Sequence, residues 1–154
     1  MKRHITLIAI ICAVTALATV YAQEDATAWL TDFNKAKKEA SEKKMPILAD
    51  FSGSDWCGWC KKLDNDVFSK KEFKDFAKDN LILFLADFPR KKAQDEKIKT
   101  QNHALMKKYS IRGFPTVLIL DAEGKVLATT GYVEGGAIAY VEHLKRLISG
   151  AKKD

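Results

Sequence analysis

Cys57 and Cys60, within Asp55-Trp56-Cys57-Gly58-Trp59-Cys60, are two thiols with two residues between them, a spacing that suits reversible oxidation to a disulfide. The segment reads as the junction of a buried strand and a following helix. With Cys57 at the first turn of that helix and Cys60 three positions on, both sulfurs fall on one face, within disulfide reach. Unpaired backbone N–H groups and the positive end of the helix dipole then lower the pKa of Cys57. An ordinary thiol of pKa about 8.5 is roughly 3% ionised at neutral pH, whereas one of pKa about 7 is half ionised, a gain of more than tenfold in thiolate. Cys57 is the expected nucleophile. Cys60, deeper in the helix and less exposed, is the expected resolving thiol.

The same spacing serves zinc. Beyond the pair, the chain supplies Cys12, His4, His103 and His143. Cys12 and His4 fall in a segment expected to be removed, and the two remaining histidines have no finger-like spacing, so no metal is expected. A structural staple is the other reading, but a bridge closing so small a loop removes little entropy from the unfolded chain. Redox chemistry fits better than either.

Met1–Ala22 reads as a signal peptide: Lys2 and Arg3 precede an apolar or small run from Ile5 to Val20, and Val20-Tyr21-Ala22 resembles a small-residue cleavage site. Counted through Ala22, the run also reaches the lower limit for a membrane span, so an N-terminal anchor stays open. Either way Lys2 and Arg3 hold the N-terminus on the cytoplasmic side and the remainder crosses, which implies an exported, periplasmic or extracellular protein. Residues 23–154 are long enough for one core and not for two. The whole chain carries 26 basic and 20 acidic residues, and without Lys2 and Arg3 the net charge is 24 − 20 = +4. Basic pairs are scattered among acids, not gathered into a stripe with interleaved aromatics, so nucleic acid is not an expected partner.

Around the pair, the pattern describes the elements that must hold it. Trp29, Phe33, Ala36 and Ala40 recur at helical spacing before a break at Pro46, and Ile47–Phe51 is a short apolar strand interrupted only by Asp50. The Cys57 helix runs to about Ser69, Phe73, Phe76 and Ala77 mark another helical stretch, and Leu81–Leu85 is a buried strand parallel to the first. Residues 88–95 read as a charged loop, either partner surface or solvated, and Ile98, Leu105 and Tyr109 as one side of a helix. Thr116–Leu120 and Val126–Thr130 flank Asp121-Ala122-Glu123-Gly124 as an antiparallel hairpin. Ala137, Val141, Leu144 and Ile148 define a last helix closed by Gly150. The fold class is α/β: one mixed central sheet of about four strands flanked by helices, with the pair at the carboxyl end of a central strand.

Three separated segments, Ile47-Leu48-Ala49-Asp50-Phe51, Trp56-Cys57-Gly58-Trp59-Cys60-Lys61 and Tyr109-Ser110-Ile111-Arg112-Gly113-Phe114-Pro115-Thr116, resemble the thioredoxin superfamily in content and order. Within it the chain looks most like the small exported thioredoxin-like proteins. The resemblance implies a thioredoxin fold over residues 23–154, a cis Phe114-Pro115 bond beside the sulfurs, and an extended substrate segment pairing with the backbone before Pro115. It implies that Trp56, Gly58, Trp59, Phe114 and Pro115 contact substrate. It also implies that Asp50, a carboxylate in an apolar strand, moves the proton of Cys60 during resolution. The chain departs from typical thioredoxin in three places: Asp50 and Cys57 are seven positions apart, one more than usual, Leu81–Leu85 has no lysine to neighbour the acid, and Trp59 stands in place of proline.

The expected function is that of a monomeric, exported thiol–disulfide oxidoreductase exchanging the Cys57/Cys60 dithiol–disulfide with protein thiols or disulfides, without an organic cofactor. A membrane protein would deliver or remove electrons, and the direction of flow is open. The alternatives are a peptide-binding or chaperone module built on the Phe114-Pro115 groove, and a metal-binding protein.

Overall fold

The computed structural model describes residues 28–151. The signal peptide or anchor expected at Met1–Ala22 lies outside them. Among the described residues no helix is long and apolar enough to cross a membrane.

Helix α1 (Phe33–Lys43) starts one turn later than its apolar spacing suggests, because Asp32 caps it: one carboxylate oxygen accepts from the backbone N–H of Asn34 and of Lys35. Such a cap is worth about 1 kcal/mol and outweighs the extra turn that Trp29 would have added. Trp29 therefore lies ahead of the helix, and Leu30 forms a parallel bridge to Phe84. Strand β1 (Ile47–Ser52) follows, then α2 (Gly58–Leu63), which runs on through one π-helical turn at Asp64–Phe68 and ends at Ser69. Helix α3 (Lys71–Asn80), strand β2 (Ile82–Asp87), helix α4 (Glu96–Lys108), strands β3 (Thr116–Leu120) and β4 (Val126–Thr130), and helix α5 (Gly136–Ala151) complete the order. Gly150 lies inside α5 and does not close it, since the apolar face that holds the helix to the sheet overrides a single glycine near its end.

The sheet order is β2-β1-β3-β4, with β1 parallel to β2 and antiparallel to β3. This is the mixed four-stranded sheet that the sequence implies, with β1 inside it and buried along its whole length. Alternation along β1 divides the core. Leu48 belongs to a cluster with α2, α3 and α5 that includes Leu63, Phe73 and Tyr140. Ile47, Ala49 and Phe51 join Phe33, Ala36 and Leu105 from α1 and α4 on the other face. Burying one such large side chain stabilises the fold by about 1.5–3 kcal/mol, so a register slip in β1 would exchange both cores at once. Asp50 shares the strand face of Leu48.

Candidate active site

The chain leaves β1 at its carboxyl end and turns through Gly53 into the cysteine pair. An added Cβ at Gly53 would lie 2.5 Å from the Trp56 ring, so glycine lets that indole pack over the turn. Ser54 is fixed by Asp87 at the end of β2, which accepts from its backbone N–H at 2.9 Å and from its hydroxyl at 2.6 Å. Cys57 is the N-cap of α2, one position ahead of its first turn. Its sulfur accepts from the backbone N–H of Cys60 at 3.1 Å, so the helix end points a donor at this sulfur. The two cysteines form a disulfide, with Cα atoms 5.3 Å apart. Both are buried, Cys57 at 6% and Cys60 at 4% relative exposure, so accessibility hardly separates them. What distinguishes Cys57 is its position beside Trp56 at the helix cap.

Asp50 is also buried, and its Oδ1 has no hydrogen-bond partner among the described residues. Burial pushes its carboxyl up to about 8, with Asp64 and Asp87 adding repulsion. β2 offers no cation, since Leu85 stands opposite Asp50 in the register. The ammonium of Lys61 donates to the Asp55 carbonyl at 3.1 Å. Asp50, Cys60, Lys61 and Asp64 line one cavity of about 240 Å³. With its carboxyl pushed up to about 8, Asp50 has both forms within reach near neutrality: the acid can hand a proton to the Cys60 sulfur that shares its cavity, and the carboxylate can take one away. Tyr140, fully buried on the same side, donates to the Gly131 carbonyl at 3.0 Å, and burial with the nearby Asp50 charge raises its pKa.

Phe114-Pro115 is a cis peptide at the start of β3. The Phe114 ring meets Trp56 edge-on at 5.8 Å and lies 5.1 Å from Phe88. Trp56 also donates from Nε1 to the Phe88 carbonyl at 2.8 Å. Trp59 lies on the outside of the pair, 58% exposed, with its ring 5.3 Å from Tyr132, and Gly58 is open to solvent. Trp56 and Phe114 are thus in ring contact, and Asp50 shares a cavity with Cys60. His103 packs against Phe88 from α4 and lines a groove with Trp56 and Phe114, while His143 on α5 is 2.9 Å from the Thr130 hydroxyl.

Asp55 has a role its position beside the thiols did not suggest. Its carboxylate accepts three backbone N–H groups, from Arg90, Lys91 and Lys92, at 2.7–3.1 Å. Those bonds, led by that from Arg90, hold its carboxyl below the usual carboxylate range. The Arg90 guanidinium stacks over the Trp56 ring, 3.6 Å from its centroid. The loop from Pro89 to Asp95 is therefore fastened to the active-site turn. Asp64 is another residue not singled out from the sequence, since only the winding of α2 brings it into the Asp50 cavity.

A dithiol pair at a strand-to-helix junction, a cis-proline across the sheet and a mixed sheet with helices on both faces define a thioredoxin-fold thiol–disulfide oxidoreductase. The sequence profile of the thioredoxin-like domain matches residues 33–144. The chain belongs to this thioredoxin-like family. It is 39% identical over 113 residues to the disulfide bond reductase DsbH of Chlamydia pneumoniae, covering 73% of this chain and 68% of that protein. A solved structure of a DsbH oxidoreductase superposes with a TM-score of 0.76 at 37% identity, over 79% of this chain and 84% of the other. The thiol:disulfide interchange protein DsbD of Cronobacter sakazakii is 30% identical over 115 residues, but this chain spans only 18% of its length.

Proposed function

We propose that residues 23–154 work outside the cytoplasm as a monomeric reductase of protein disulfides, freed by removal of residues 1–22. The observation that carries this reading is the Cys57–Cys60 pair at the cap of α2, with Cys60 sharing a cavity with the buried Asp50, whose Oδ1 has no hydrogen-bond partner among the described residues. In the reduced protein, the Cys57 thiolate attacks one sulfur of a substrate disulfide, a mixed disulfide forms, and the other substrate sulfur leaves as a thiolate. Cys60, with the ionised form of Asp50 taking its proton, then attacks the Cys57 sulfur, releasing the second substrate thiolate and closing the enzyme disulfide. Two electrons pass from enzyme to substrate, and an external dithiol must restore the pair.

Trp56, Gly58, Trp59, Phe114 and Pro115 receive the substrate segment in this reading. The protein needs no metal or organic cofactor beyond its own disulfide. In an oxidising compartment the restoring dithiol belongs to a membrane protein. Support for the reducing direction comes from the name of the DsbH relative, a disulfide bond reductase.

The test is reduction of a protein disulfide in the presence of a small dithiol, which Cys57→Ser is expected to abolish. Unchanged turnover in that variant rejects the reading. The potential of the pair fixes direction: a value toward the thioredoxin end, about −270 mV, supports a reductase, and one near about −120 mV makes the protein an oxidant.

A further inference from the structure

Reaching Trp56, the residue before Cys57, and on the side of the sheet away from Asp50, a groove of about 530 Å³ runs between the Pro89–Asp95 loop and α4. Its apolar lining includes Trp56, Phe88, Phe114 and Met106. Trp56 precedes Cys57 and Phe114 precedes Pro115, so the groove continues outward from the place where a substrate cysteine would meet Cys57. Its charged lining is Arg90, Lys92 and Lys99 against Glu96 alone, and Glu96 is paired with Lys99 at 3.3 Å. The surplus is cationic. The neighbouring acids are engaged elsewhere: Asp55 by the loop amides, Asp87 by Ser54, and Asp95 by the first amides of α4.

Two features make this a built surface. The loop backbone is clamped to Asp55, and the Arg90 guanidinium lies over the Trp56 ring. A preorganised rim spends little ordering entropy on binding. The volume falls within the range of pockets that enclose a ligand group, and the mixture of aromatic floor and fixed polar rim is what peptide recognition uses.

We infer that this groove is a specificity site for protein substrates in which an aromatic or large aliphatic side chain near the reactive cysteine is flanked by aspartate or glutamate. The apolar side chain seats on Trp56, Phe88 and Phe114, and the acidic flank meets Arg90 and Lys92. The inference deepens the proposed reductase, on which it rests for the identity of the ligand as a substrate segment.

The experiment compares disulfide-bonded peptides that share a cysteine and a phenylalanine and carry either two glutamates or two lysines beside them. With the full-length protein, kcat/KM is expected to favour the acidic peptide by roughly tenfold at about 0.02 M salt, falling toward parity at about 0.5 M. The double variant Lys92→Glu/Lys99→Glu is expected to cancel or invert the ratio, which is internal to each protein and therefore unaffected by any general loss of activity. Lys92→Arg keeps it. A wild-type ratio near one, or a preference that survives charge reversal, overturns the site. Turnover of the small neutral disulfide of 2-mercaptoethanol by the wild type reports redox competence separately, so its absence counts against the reductase. In that event a serine-for-cysteine version of the acidic peptide still decides the groove: it must shift the Trp56 indole N–H resonance in the wild type and lose that effect in the double variant, and no shift overturns it.

Discussion

At Asp50 a single side chain sets both a stability cost and a chemical capability. Its carboxyl is pushed up to about 8 by burial, with Asp64 and Asp87 adding to the effect. The native state therefore keeps a proton that the unfolded chain releases near pH 4, where an ordinary aspartate titrates at about 3.9. The contribution of Asp50 to stability is full below that value, declines as pH rises to about 8, and is level above it. Within that window the slope is at most about 1.4 kcal/mol per pH unit. Asp50→Asn is expected to remove the decline, so in urea melts of the oxidised protein its advantage over wild type grows from pH 4 to pH 8. A pH-independent difference would contradict a buried, neutral carboxyl. The same substitution is expected to slow resolution by Cys60 roughly tenfold or more at neutral pH while leaving formation of the mixed disulfide intact, as stopped-flow mixing can distinguish. Asp50 was legible in the sequence because a carboxylate interrupts an apolar strand. Asp64 and Asp87 were not, because their influence depends on how α2 winds and on how β2 ends beside β1.

Among the elements, the loop from Pro89 to Asp95 is a mostly exposed loop, as its sequence suggests, but its fastening was not legible there. Its order comes from Asp55, 35 to 37 positions away in the chain. No local spacing announces a bond of that range, whereas strands and helices announce themselves by period. That is why β3 and β4 match their expected bounds while the start of α1 and the end of α5 do not. Asp55→Ala is expected to speed hydrogen exchange at the amides of Arg90, Lys91 and Lys92 without changing exchange in β1. If those amides kept their protection, something other than Asp55 would be ordering the loop. Because the Asp55 pKa is depressed, the clamp is present above the ordinary carboxylate range and is lost only as pH falls through the lowered value. Loop protection is therefore expected to persist to more acidic pH than the titration of a free aspartate.

Across the whole molecule, β1 separates two tasks. Its even positions, Leu48 and Asp50, face the α2, α3 and α5 side, where the Asp50–Cys60 cavity lies. Its odd positions face α1 and α4, and on that side Phe88 and Phe114 pack onto the core beneath the cationic groove. The Asp50 cavity and the cationic groove thus lie on opposite faces of one sheet, joined near the disulfide by Asp55, whose carbonyl holds Lys61 and whose carboxylate holds the groove loop. Sites that share no partner and are not in contact combine additively, usually within about 0.3–0.5 kcal/mol. A double-mutant cycle combining Asp50→Asn with Lys92→Glu/Lys99→Glu tests this division, with kcat/KM for the acidic peptide as the readout. The two effects are expected to multiply, leaving a coupling energy below about 0.5 kcal/mol. A larger coupling would mean that substrate seated in the groove alters the environment of Asp50 through β1. The sheet would then transmit between the two sites rather than separate them.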